Sequence, residues 1–159
     1  MKDTFLVDLA HCELATSGEI VAGNLGAGVV VAVWDPEAKI GGLAHMLLPD
    51  SAADMVQSTE NPSLFCDTAV PHLLEKAEAL GAERTRLRVD LIGGANLLGG
   101  ADSFDVGRRN QQMAKRAIEG AGLKIRAEDV GGSDSRRVRL NLEDGSVHVR
   151  AGLALERTL

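Results

Sequence analysis

Hydrophobic and polar residues alternate with three different rhythms along this chain, and each rhythm predicts an element. Residues 29–34, Val-Val-Val-Ala-Val-Trp, form an unbroken β-branched run of the kind found in strands buried on both faces. Asp35-Pro36 opens a turn that closes near Lys39, and residues 40–48 supply a second apolar run that contains His45 and stops at Pro49. These two runs predict a central hairpin. Upstream, residues 4–10 and 19–22 are β-prone on either side of Thr16-Ser17-Gly18 and predict two strands around a turn.

The rhythm then changes. Residues 50–63 read as a polar loop, after which Val70, Leu73, Leu74, Ala77 and Leu80 recur at helical spacing up to Gly81. Pro71 is tolerated near a first turn, so the helix is expected to begin close to Asp67 or to kink at Pro71. Residues 86–91 alternate charge with Leu87, Val89 and Leu91, a half-buried strand, and the Gly93-Gly94 and Gly99-Gly100 pairs bracket an expected mobile loop. Val106, Met113, Ala114, Ala117, Ile118 and Ala121 mark a second helix stopped at Gly122, with Arg108, Arg109, Lys115 and Arg116 on its outer face. Residues 123–130 read as a strand. Val138, Leu140 and Leu142, then Val147 and Val149, read as two more joined by a two-residue turn at Asp144-Gly145. About seven strands and two helices, with no repeat and no dividing linker, predict one α/β (α+β) domain over residues 1–159.

Composition narrows the function. The 159 residues are 45% hydrophobic and 25% charged, which suits a packed core. Seventeen basic against 23 acidic residues leave a net charge of -6, and aromatic residues make up only 3%. Nucleic-acid binding needs a basic surface and stacking faces, so it is not expected. The N-terminal residues lack a secretory h-region, no window reaches the roughly 20 apolar residues of a membrane span, and Cys12 and Cys66 lack C-x-x-C spacing. A cytoplasmic protein, not inserted in a membrane, is the expectation.

Three chemical readings compete. Gly23-x-x-Gly26-x-Gly28 resembles a phosphate-binding loop, but a strand follows it where that mechanism needs a helix N-terminus, so no nucleotide cofactor is expected. His11, His45, His72 and His148 are scattered over separate elements, so no metal site is expected either. His45 differs because it sits inside a strongly apolar strand, where an imidazole is either a core residue bonded to backbone or a catalytic base. Cys66, just ahead of the first helix, could have its thiol pKa lowered by the helix N-terminus.

Several motifs recur in a fixed order: Ala22-Gly23-Asn24-Leu25-Gly26-Ala27-Gly28-Val29, Trp34-Asp35-Pro36, Lys39-Ile40-Gly41-Gly42 and Ala44-His45-Met46-Leu47-Leu48-Pro49. Asp67-Thr68-Ala69, Gly93-Gly94-Ala95, Val106-Gly107-x-Arg109-Asn110 and Glu128-Asp129-x-Gly131-Gly132 with Arg136 follow. Over nearly its whole length the chain resembles the CheD family of chemoreceptor glutamine deamidases. That resemblance implies a layered fold of packed mixed and antiparallel sheets flanked by two main helices. It also implies a cysteine thiolate attacking a receptor glutamine amide, a histidine as general base and acid, and a threonine supporting the histidine.

Carried over by position, the histidine is His45, the cysteine position is Gly28, the threonine position is Ala22, and Ala27 stands where a serine flanks the nucleophile. The chain thus resembles a degenerate member without its catalytic cysteine and threonine. The expectation is a catalytically silent binding module whose partners are chemoreceptor cytoplasmic helices or a CheC-type phosphatase. The alternative is an active deamidase that uses a substitute nucleophile such as Cys66.

Overall fold

A computed structural model describes residues 2–99 and 105–159. Among the described residues, ten strands form two five-stranded sheets. The first is built from β1 (Thr4–Val7), β3 (Glu19–Leu25), β8 (Arg136–Asn141), β9 (Val147–Ala151) and β10 (Arg157–Thr158), in that order. The second runs β2 (His11–Ala15), β5 (Ile40–Met46), β4 (Val29–Asp35), β6 (Arg88–Gly93) and β7 (Ile125–Val130). Each sheet is antiparallel except for one parallel pair, β1 with β3 and β6 with β7. The β6–β7 pair is joined through α3 (Val106–Gly120), as a parallel pair requires a long crossover.

The sheets pack face to face. Ile20, Ala22, Leu25, Val138, Leu140 and Val149 from the first interdigitate with Val30, Ala32, Trp34, Leu43 and Ile92 from the second. The opposite face of the second sheet, through Val29, Val31, Val33, Ala44 and Met46, is covered by α2 (Cys66–Ala79) and α3. That sandwiched position explains why every residue of β4 and β5 is buried, and why their sequences read as continuous apolar runs. The mixed layered class and the central β4–β5 hairpin expected from the sequence are both present.

Several local expectations are corrected. Residues 4–22 hold three strands rather than two. β2 leaves for the second sheet, and β1 and β3, which flank it, become parallel neighbours instead of turning back on one another. Residues 50–63 are not a plain loop: a 3-10 turn over Ser51–Ala53 precedes α1 (Met55–Glu60), capped by the Asp54 carboxylate on the Gln57 amide. Helix α2, by contrast, begins at Cys66, close to Asp67 as expected, with Pro71 within its second turn. The β8–β9 connection is longer than two residues, because Asn141 already pairs with Ser146 and the buried Leu142 drops into the inter-sheet core. Of the two glycine pairs expected to bracket a loop, Gly100 falls outside the described residues.

Candidate functional site

His45 lies near the end of β5, directly opposite Val30 on one side and His11 on the other. Strand alternation separates it from Ala44 and Met46, which face the helices, and places it with Leu43 toward the inter-sheet layer. The imidazole is 1% exposed, and neither ring nitrogen has a hydrogen-bond partner among the described residues. Burial pushes its pKa down to about 4, so the ring is neutral at physiological pH. The backbone hydrogen bond that would satisfy a core histidine is absent among the described residues.

Gly28 stands beside it. A β-carbon built on Gly28 would lie 3.2 Å from His45 Nε2 and 3.2 Å from Leu47 Cδ2, but only 2.8 Å from the Met46 carbonyl oxygen. The fold therefore brings together two of the positions singled out in the sequence, with a hydrogen atom where a side chain would meet the imidazole. Ala22 is fully buried on β3, in the facing sheet of the same inter-sheet layer. Ala27 lines a small cleft of about 210 Å³ with Ala95, Leu97, Leu98 and Val106.

The turn that carries Gly28 is held by backbone and by one side chain. Gly94 and Ala95 amides donate to the Gly28 and Gly26 carbonyls. Asn110, fully buried on α3, donates through Nδ2 to the Ala27 carbonyl at 2.9 Å and the Leu47 carbonyl at 3.0 Å. It thus straps the Gly28 turn to the end of the His45 strand. Gly107 lets α3 approach this closely, because a β-carbon there would fall 2.5 Å from the Ala95 carbonyl oxygen. Sequence reasoning noted Asn110 only within a motif. An amide three and four residues ahead of Met113 and Ala114, on the apolar face of an amphipathic helix, is the signal that marks it.

Cys66 is placed elsewhere. Its side chain packs in the helix-side cluster with Ala44 and Met46, across the sheet from the imidazole, and its thiol donates to Asn110 Oδ1 at 3.7 Å. It is the first residue of α2, yet burial, reinforced by the Asp67 charge, pushes the thiol up to about 12, so desolvation overrides the helix terminus. Cys12 pairs with Ala44 across β2 and β5 and also packs against the helix-side cluster. His11 shares a face with His45 but is exposed and bonds the Leu9 carbonyl. Among the described residues no three His, Cys, Asp or Glu side chains gather as metal ligands, and no helix is long and apolar enough to cross a membrane.

Comparison with known proteins agrees with the motif order. A protein from Methanococcus maripaludis (strain C5) named "Probable chemoreceptor glutamine deamidase CheD" is 39% identical over 151 residues, covering 94% of this chain and 96% of its own length. Proteins of the same name from Methanococcus vannielii, 40% identical over 147 residues, and Solibacter usitatus, 37% identical over 145 residues, cover 92% and 90% of this chain. They span 94% and 86% of their own lengths. The sequence model of the family described as "CheD chemotactic sensory transduction" matches residues 47–151, starting just after His45. With relatives this similar over almost its full length, the chain belongs to the CheD family.

Proposed function

We propose that this protein is a catalytically silent CheD that binds chemoreceptor cytoplasmic helices, or a CheC-type phosphatase, in the cytoplasm. One observation carries the reading: a β-carbon at position 28 would lie 3.2 Å from His45 Nε2, and the residue there is Gly28, which offers no nucleophile. Deamidation of a glutamine needs an atom to attack the amide carbon and a proton delivered to the departing ammonia. His45 retains the capacity for proton transfer but has no thiol or hydroxyl beside it to activate.

Magnitudes support silence. Loss of a nucleophile from a triad-type enzyme costs on the order of a millionfold in turnover. A lone general base returns only roughly a hundred- to ten-thousandfold. His45, with a pKa near 4, is moreover a weak base. The alternative deamidase using Cys66 gains no support from geometry, since that thiol faces Asn110 on the other side of the sheet and stays protonated.

The test is incubation of the purified protein with a chemoreceptor cytoplasmic fragment, following ammonia release, the glutamine-to-glutamate mass change and co-precipitation. Binding without either chemical change is expected. Ammonia release abolished by His45→Ala would overturn silence, and failure to co-precipitate receptor or phosphatase would overturn the binding role.

A further inference from the structure

The helices cover only the second sheet, which leaves the outer face of the first sheet open. On that face Arg137 of β8 and Arg150 of β9 are directly opposite each other. Their neighbours Val138 and Val149 point into the inter-sheet core, so the two guanidinium groups point outward together. Both are exposed, and neither guanidinium forms a hydrogen bond or ion pair with a described residue. Like charges directly opposite in an antiparallel pair are destabilising. The next pair on the same face is treated differently: Arg139, opposite His148, is bound by Glu19 at 3.2 Å and Glu156 at 2.6 Å. The neighbouring Arg136 is buried and engaged by Asp129 and the Gly131 carbonyl.

The two unpaired arginines flank a cleft of about 320 Å³ whose floor includes Gly23 and Asn24. A second cleft of about 330 Å³ shares Gly23, Asn24 and Arg137, and its lip is formed by Leu6 and Leu9, which are 71% and 52% exposed. Nothing lies within 4 Å of where a Gly23 side chain would be, so the floor between the clefts is clear. Asp8 on this lip and Asp134 beside Gly152 stand at the margins. In a chain of net charge -6, two adjacent arginines make a local positive site that attracts carboxylates; Glu156, near enough to feel the Arg137 charge, is already bound by Arg139.

We propose that this face docks an acidic polypeptide segment, with carboxylates on Arg137 and Arg150 and apolar side chains on Leu6 and Leu9. The apolar lip selects a polypeptide over a free anion, because a free anion leaves Leu6 and Leu9 uncovered. The surface is independent of the chemistry at His45 and rests on the proposed receptor binding only for the choice of a helical probe.

The test is fluorescence anisotropy with a labelled helical peptide of about 20 residues, glutamates on one face and leucines on the other, against its glutamine-for-glutamate analogue. The acidic peptide is expected to bind at least about tenfold more tightly than the neutral one, and to weaken as salt rises. The double variant Arg137→Gln, Arg150→Gln is expected to lose at least about tenfold in affinity while its melting temperature holds or rises, since it relieves a like-charge pair. Equal binding of the two peptides, unchanged affinity of a folded double variant, or displacement of the peptide by millimolar inorganic phosphate alone would each overturn the proposal. Receptor capture retained in full by the double variant would overturn this surface and leave the binding-module reading standing. Peptide binding without any receptor capture by the native chain would do the reverse.

Discussion

A side chain at position 28 would begin 3.2 Å from Nε2 of His45 and 2.8 Å from the Met46 carbonyl oxygen. The first distance puts position 28 at the imidazole. The second shows that the turn has settled around a glycine, since real β-carbons essentially never approach a backbone oxygen so closely.

Placing a cysteine at position 28 therefore has two expected consequences. Gly28→Cys lowers stability by about 1–3 kcal/mol, as other insertions into tight packing do, because the turn must move away from Met46. The new thiol, lying beside His45, is expected to be alkylated faster than Cys12 or Cys66, and Ala22→Thr in addition is expected to give measurable ammonia release from a receptor fragment. Calorimetry with iodoacetamide labelling checks the first two outcomes. A well-folded variant whose new thiol is inert would show that position 28 does not present a side chain to His45 in a reactive geometry.

His45 links stability to pH. Its folded pKa of about 4 is lower than the ordinary 6.5, so the unfolded chain binds the extra proton first. Stability from this group is complete above pH 6.5 and is lost as pH falls toward 4, by roughly 3 kcal/mol in all. His45→Leu removes two unpartnered buried nitrogens, and is expected to flatten that slope and to raise stability by about 1 kcal/mol at neutral pH. Urea unfolding between pH 4 and 7 reads both effects.

Asn110 positions the site from a distance. Asn110→Ala leaves the Ala27 and Leu47 carbonyls and the Cys66 thiol without their partner, at an expected cost of about 2–4 kcal/mol. Asn110→Asp is expected to be comparably damaging, since a carboxylate cannot donate to two carbonyls. Faster hydrogen exchange in the turn at residues 26–28 than in β9 would distinguish this local release from general loosening.

The Cys66 thiol, fully buried and pushed up to about 12, is expected to stay unmodified by aromatic disulfide reagents at pH 8 until the protein unfolds. Rapid native-state labelling of Cys66 would reopen the substitute-nucleophile reading. Cys66→Ala is expected to leave any residual activity unchanged.

Asp35 supplies an acid-sensitive contact away from the site. Burial opposes its ionisation, but the Arg86 guanidinium and the Glu83, Ala38 and Glu37 amides together hold its carboxyl well below the usual range. Its contribution is present above about pH 4 and is lost as pH falls further. Asp35→Ala, which takes from Arg86 its buried partner, leaving it Glu37 and Glu83, and leaves three amides without an acceptor, is expected to cost roughly 3 kcal/mol by thermal unfolding at pH 7.

The sequence by itself determined the central hairpin and the two long helices, and it marked His45 as a polar residue in an apolar strand. Each rests on a local signal: unbroken apolar runs, helical spacing, or one polar residue in an apolar strand. The order of the motifs also singled out Gly28 and Ala22, and the fold puts a Gly28 β-carbon 3.2 Å from His45 Nε2. Only the tertiary structure decided where β2 goes, because strands of similar composition pair according to which sheet completes their burial. It also separated the two sulfur and imidazole groups that sequence had left free to meet: Cys66 and His45 project from opposite sides of one sheet, a consequence of strand alternation and helix placement. The Arg137–Arg150 pairing likewise emerges only from register, since residues thirteen positions apart become neighbours solely by the way β8 and β9 align.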